Sequence, residues 1–306
     1  MVYSVNLKEK KVNYDHLIAG VAGGVVSAFI LHPFDLLKLR FAANDGLTNT
    51  IPTYHGVLDA FRRIYKYEGN IFGLYRGVTP NIIGSGTAWG LYFFIYNVLK
   101  SWMNEGKSTT SLTPLQSTCA AATSGLTTLL LTNPIWLVKT RLCLQTNDPS
   151  VTIHKFKIYR GTWDALTSIY KYEGTKGLYK GFVPGLFGVS HGTLQFMAYE
   201  ELKKRYYIYK HLPKEKKLNN HEYLTMAALS KIFAVNLTYP FQVIKFRLQD
   251  RNKDYGGFRD AVVKIMKHEG ILGFYKGWIP QILRVTPATC ITFLVYENLI
   301  QYLSEL

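Results

Sequence analysis

Cysteine and acid are what this chain has least of. Cys119, Cys143 and Cys290 are its 3 cysteines in 306 residues, each in a different segment and none in a C-x-x-C pair. That spacing argues against a disulfide framework or a thiolate metal site and leaves plain packing thiols. Asp and Glu total 20 against 36 Lys and Arg, a formal net charge of +16. The sequence has no H-E-x-x-H, G-x-S-x-G or Walker lysine motif. Its glycine-rich stretch Gly84-Ser85-Gly86-Thr87-Ala88-Trp89-Gly90 is not G-x-G-x-x-G and follows no strand pattern. No catalytic or metal-ligating constellation is legible, and an enzyme is not expected. The segment Met1 to Lys11 has three Lys, no Arg and an acid at Glu9, unlike a cleavable transit peptide.

What the chain does have is long apolar runs poor in charge, at about 16–41, 79–101, 114–143, 183–204, 222–248 and 279–303. A bilayer core needs about 20 helical residues, so each run is long enough to span it. Of the 36 basic residues, 22 lie in 38–76, 139–180 and 245–276, the three connections on one side of such a bundle. Basic excess in short connections marks the side that is not translocated, and it attracts anionic headgroups. Because these charges alternate with apolar runs rather than sharing one soluble module, nucleic acid is not an expected partner.

Two phrases recur three times. Pro33-Phe34-Asp35-Leu36-Leu37-Lys38, Pro134-Ile135-Trp136-Leu137-Val138-Lys139 and Pro240-Phe241-Gln242-Val243-Ile244-Lys245 share one frame, each followed two residues later by Arg40, Arg141 or Arg247. Glu68-Gly69, Glu173-Gly174 and Glu269-Gly270 then precede Arg76-Gly77, Lys180-Gly181 and Lys276-Gly277. A linked pair of motifs at a period of roughly 100 residues means one structural unit used three times. The expected units are 14–104, 112–208 and 219–304. Within each, small residues (Gly20 and Gly24, Ala121 and Gly125, Ala227 and Ser230) predict close helix packing. Pro33, Pro134 and Pro240 predict kinks. Stretches 56–67, 161–172 and 257–268 predict short amphipathic helices.

These motifs, over nearly the whole chain, resemble the mitochondrial carrier family. The resemblance implies an all-α membrane protein: six transmembrane helices in three tandem pseudo-threefold repeats, with short amphipathic helices on the matrix side. It implies an inner-membrane monomer with both termini in the intermembrane space. It also implies cardiolipin bound beside the Arg76-Gly77, Lys180-Gly181 and Lys276-Gly277 pairs, where helix starts favour anions.

In the family, the acidic place after each proline meets the lysine of the next repeat and closes a matrix gate. Carried across, Asp35 faces Lys139, Trp136 faces Lys245 and Gln242 faces Lys38, so one ion pair is complete. A second gate, toward the cytoplasm, would comprise Asn97 and Lys100, Glu200 and Lys203, and Glu297. Asn97 and Ile300 depart from its pattern. The bland alternative for these charges is an ordinary snorkelling helix end.

Seven residues after each Lys/Arg-Gly glycine lie Gly84, Gly188 and Arg284. Arg284 is expected as an unpaired midplane cation that meets an anionic group of the cargo, with the glycines leaving room. Gly188-Val189 resembles a pair that receives an adenine. Trp89, Tyr92, His191 and Gln195 either stack on and hydrogen-bond a planar ring or simply pack against neighbours. Lys231 is either a second anion contact or a helix-face charge. The phrases around Trp89, His191 and Thr289 resemble family members that carry FAD or folate as cargo rather than as a bound cofactor. NAD and pyrimidine nucleotide carriers are the alternatives, and a non-transporting membrane adaptor on the same fold is the rival of another class.

Overall fold

The computed structural model describes residues 20–104, 113–151, 158–211, 218–253 and 255–305. Met1 to Lys11 and the start of the first expected repeat lie outside them. The described chain is helical and contains no strand. Helices α1 (Gly20–Ile30) and α2 (His32–Ala43) form one bent run. They are followed by α3 (Val57–Tyr67), α4 (Val78–Asn104), α5 (Pro114–Leu144) and α6 (Thr162–Leu178). The remainder are α7 (Phe182–Tyr209), α8 (Asn220–Gln249), α9 (Phe258–Glu269) and α10 (Trp278–Glu305).

Local sequence explains the ends. The Thr113 hydroxyl accepts from the Gln116 amide while the Gln116 side chain accepts from the Thr113 amide, a capping box with Pro114 in the first turn of α5. Asn219 and Glu222 build the same device on α8. Gly69 and Gly270 take positive φ just after α3 and α9, and Gly174 does so at a break inside α6, a conformation L side chains rarely adopt. The short helices α3, α6 and α9 bury one Ala and one Ile a turn apart, Ala60/Ile64, Ala165/Ile169 and Ala261/Ile265. Each pair sits under the C-terminal half of the preceding long helix, in core clusters with Leu36, Leu137 and Ile244 respectively.

The long runs form a ring. Within a repeat the two long helices are joined through the short one, and between repeats α4 packs on α5, α7 on α8, and α10 back on α2. By length and composition, Asn70–Asn104 passes as a membrane-crossing helix and the bent α1–α2 run as a second. The other long helices reach 28 to 31 residues but are less apolar.

The first long run bends by 56° at Leu31, two residues before Pro33, and α5 and α8 carry Pro134 and Pro240 within one continuous helix. The Tyr275 hydroxyl donates at 3.4 Å to the Asn236 carbonyl that Pro240 leaves without its helical donor. Two residues before the proline, Thr132 and Thr238 donate to carbonyls a turn back, at 2.7 and 2.8 Å. Leu31 holds that position in the first repeat and has no donor to offer. Close helix approach moves in the first repeat only: Cβ atoms at Gly20 and Gly24 would meet nothing within 4 Å and one at Gly23 would sit 2.9 Å from the Thr292 carbonyl oxygen, whereas Gly125 is closely approached as expected.

Candidate functional site

The C-terminal halves of α2, α5 and α8 converge on the side of the short helices. The residue before each proline ties this convergence to the following Lys/Arg-Gly turn. His32 Nε2 lies 2.9 Å from the Arg76 carbonyl, Asn133 donates to that of Leu178 at 2.8 Å, and Tyr239 donates to that of Lys276 at 3.0 Å. Their identities differ, so no repeated letter announces the role. The glycines of those turns press on the gate lysines' own backbone: a Cβ at Gly77, Gly181 or Gly277 would lie 3.2, 3.1 or 2.7 Å from the carbonyl oxygen of Lys139, Lys245 or Lys38.

At the convergence, Asp35 Oδ2 meets Lys139 Nζ at 3.4 Å and Lys38 Nζ donates to Gln242 Oε1 at 2.7 Å, both in the expected cross-repeat sense. Lys38 also lies 5.4 Å from the Phe246 ring centre and 5.9 Å from that of Tyr239. The third pairing differs. Trp136 presents its ring to Lys139 of its own repeat, at 5.5 Å, rather than to Lys245. Gly84 lies beside the ring: a Cβ there would stand 3.5 Å from the indole, an ordinary contact, and 3.1 Å from Ile135 Cγ2.

Arg284 is not unpaired. Its Nε lies 2.8 Å from Asp35 Oδ1, a contact across three-quarters of the chain. The approach is off the N–H direction, so Nε–H has no hydrogen-bond acceptor in line. Asp35 therefore serves two cations, one on each oxygen. A cavity of about 220 Å³ above this floor is lined by Asp35, Lys38, Trp136, Lys139, Lys245 and Arg284, among others. One carboxylate faces four cations, a field suited to an anion.

The other expected cargo residues are spread higher in the ring. Gly84 is filled by Trp136 rather than open. Gly188 is exposed with nothing within 4 Å of a Cβ, while a Cβ added at Gly125 would stand 2.9 Å from Val189 Cγ1. His191 Nδ1 lies 3.1 Å from the Thr238 hydroxyl. Trp89 is 63% exposed and edge-on to Tyr92 at 6.2 Å, within a run of aromatic contacts on α4. Lys231 and Gln195 are half-buried.

On the opposite side, no ion pair among the described residues joins Lys100, Glu200 or Lys203. Asn97 and Lys100 instead edge an open space of about 640 Å³ with Ser101 and Asn104. The Glu297 side chain lies outside the described residues. The ring is closed at the floor by contacts between repeats.

A second set of contacts went unassigned in the sequence although its letters recur in register. Arg40, Arg141 and Arg247 each grip the Glu of their own repeat, Glu68, Glu173 and Glu269, with both terminal nitrogens. Each also donates through Nε to a carbonyl of the next repeat: Cys143 at 3.0 Å, Gln249 at 3.1 Å and Ala42 at 3.0 Å. Arg76, Lys180 and Lys276 add a second cation to each Glu. Burial works against the Glu173 charge, but hydrogen bonds from Arg141 and Lys180 outweigh it and hold the carboxyl down at about 2. Outside the repeat register, Arg63 binds Asp148 at 2.8 Å and Lys253 binds Asp45 at 2.9 Å, again between repeats. Asp45 too is disfavoured by burial, yet the Lys253 ammonium and the Leu47 and Thr48 amides keep it at about 2.

A family profile described as "Mitochondrial carrier protein" matches residues 9–107, 110–210 and 216–306. Among curated relatives, the chain is 40% identical over 302 residues to "Folate transporter 1, chloroplastic" of Arabidopsis thaliana, covering 95% of this chain and 96% of that one. It is 38% identical over 296 residues to "Nicotinamide adenine dinucleotide transporter 1, chloroplastic" of the same plant, covering 93% and 90%. It is 33% identical over 308 residues to a "Mitochondrial FAD carrier protein" of Saccharomyces cerevisiae, covering 92% and 95%.

Proposed function

Because this chain belongs to the mitochondrial carrier family, a family of transporters rather than enzymes, we propose that it moves FAD or folate across the mitochondrial inner membrane by alternating access. The observation that carries the reading is the floor of the cavity, where Lys38, Lys139, Lys245 and Arg284 outnumber the single carboxylate Asp35. Relatives named for folate and for FAD, at 40% and 33% identity, support that cargo class. A second reading, NAD, is favoured by the relative named for that dinucleotide at 38% identity. All three cargoes join a planar ring system to anionic groups, which is what a basic floor below Trp89, Tyr92 and His191 suits. The cargo is a passenger and no prosthetic group is required.

In this reading the six long runs all cross the bilayer, and the floor is the matrix gate in its closed state. Asn97, Lys100, Glu200, Lys203 and Glu297 edge the cytoplasmic mouth, left open. A cavity of about 230 Å³ between Lys180-Gly181 and Tyr255-Gly256-Gly257 suits a cardiolipin headgroup. Both termini face the intermembrane space, so protease added to mitoplasts removes tags at Met1 and Leu306 together; protection of one tag alone sinks that topology. The cargo is tested with purified protein in liposomes offered labelled FAD, folate, NAD and pyrimidine nucleotides. Uptake of none of the four, by protein that is folded and inserted, overturns the proposal and returns the adaptor reading.

A further inference from the structure

The cavity floor leaves one charge unaccounted for. Three of its four cations have a partner: Lys139 and Arg284 each pair with one oxygen of Asp35, at 3.4 and 2.8 Å, and Lys38 takes Gln242 at 2.7 Å. Lys245 has no acceptor and no ion-pair partner among the described residues, and it shares the cavity lining with the cation Lys139. The residue that the threefold register sets opposite it is Trp136, whose ring is turned to Lys139 and seated on Gly84. Asp35 makes no ion pair with it, its oxygens meeting Lys139 and Arg284 instead. The Lys245 side chain runs along α7 over two glycines, with Cγ 3.2 Å from the Cβ position of Gly181 and Nζ 3.8 Å from that of Gly185. The ammonium is thereby delivered to the wall of the cavity it shares with Arg284.

An ammonium withdrawn from bulk water and left without an acceptor is costly, and it becomes favourable when a counter-charge arrives. We propose that Lys245 is a cargo-binding residue: with Arg284 it holds a doubly charged anionic group of the transported molecule in the seat from which the gate lacks a carboxylate. This rests on the transport reading above. The chemistry is two negative charges a few ångströms apart, supplied either by a diphosphate bridge or by a dicarboxylate tail. Arg284 contributes its planar fork and Lys245 a point charge. Asp35 keeps Lys139, so the floor remains tied across repeats while the anion is bound. Trp136 then reads as a change that frees Lys245 for cargo, while Gln242 keeps hold of Lys38.

The test uses the full-length purified protein with inorganic pyrophosphate and glutarate as probes of the two anion types, alongside uptake of FAD, folate and NAD in liposomes. At least one probe raises the melting temperature of the wild type, and which one does so identifies phosphate or dicarboxylate as the source. Lys245→Gln removes that rise and increases KM for the transported solute about tenfold or more with Vmax changed less than twofold. Lys245→Arg recovers most of the affinity. Without ligand, Lys245→Gln melts no lower than the wild type, because it loses a repelled cation and no partner, which a merely structural lysine would not do. The proposal is overturned if neither probe stabilises the wild type. It is equally overturned if Lys245→Gln lowers Vmax with KM unchanged or retains the probe-induced rise. Should none of the three solutes be transported while the probe effect depends on Lys245, the anion site stands and the transport reading falls.

Discussion

Arg40→Ala removes the most enclosed of the three arginine clasps. The side chains of Arg40 and Glu68 are 0% and 1% exposed, and the two make hydrogen bonds of 2.5 and 2.7 Å. The same guanidinium donates to the Cys143 and Gln145 carbonyls of the next repeat at 3.0 and 2.6 Å. Removing one partner of a buried ion pair costs about 3–5 kcal/mol, since the other charge stays buried. Glu68 keeps Arg76 at 3.2 Å and the Thr146 hydroxyl at 2.7 Å, which places the loss near the lower end. At roughly 2 °C per kcal/mol for a chain of this size, the melting temperature falls by about 6 °C. Glu173 is 24% exposed and Glu269 7% exposed. Water can therefore replace Arg141 more readily than Arg247, and Arg247 more readily than Arg40. Thermal unfolding of the purified protein in detergent, followed by tryptophan fluorescence, should rank the losses Arg40→Ala, Arg247→Ala, Arg141→Ala. Equal losses, or the largest loss at Arg141, would refute the argument that burial of the carboxylate sets the cost.

Arg284→Ala should abolish uptake of the cargo and also release Asp35 Oδ1, while Arg284→Lys restores little because a point charge lacks the planar fork; normal uptake by inserted Arg284→Ala protein would place recognition elsewhere, with Lys231 the next candidate. The Glu173 carboxyl is lowered from 4.5 to about 2. A depressed value means its stabilisation is complete above pH 4.5 and is lost as pH falls toward 2. Melting temperature should accordingly decline over that window, and Glu173→Gln should flatten part of the decline; an unchanged acid limb in the variant would be the contrary result. Gly277→Ala forces a Cβ onto φ +84° and to 2.7 Å from the Lys38 carbonyl, costing about 1–3 kcal/mol from backbone strain alone. The same substitution at Gly192, where nothing lies within 4 Å, should leave stability unchanged in the same melting assay.

Much of this molecule is written in its order of residues because the threefold period is a local property. Glycines of positive φ, capping boxes and Ala–Ile pairs act within a turn or two of chain, so their letters sit where the structure needs them. Asp35 with Lys139 and Lys38 with Gln242 were legible for a related reason: register alone sets equivalent faces of three similar helices toward one axis. The arginine clasps were half legible, since Arg40 and Glu68 recur as letters while their carbonyl partners on the next repeat carry no side-chain signal.

What the sequence could not decide is how unlike residues share one closed ring. Arg284 reads as an unpaired cation along the chain, yet Asp35, 249 positions earlier, is brought beneath it when α10 returns to α2. Trp136 reads as the partner of Lys245, yet in the packed ring its indole lies against Lys139 and Lys245 is left facing the cavity. Period and helix face were determined by the sequence itself because backbone hydrogen bonding is local. Which cation meets the single carboxylate was decided by ring closure and side-chain volume, quantities that exist only once all six long runs are packed together.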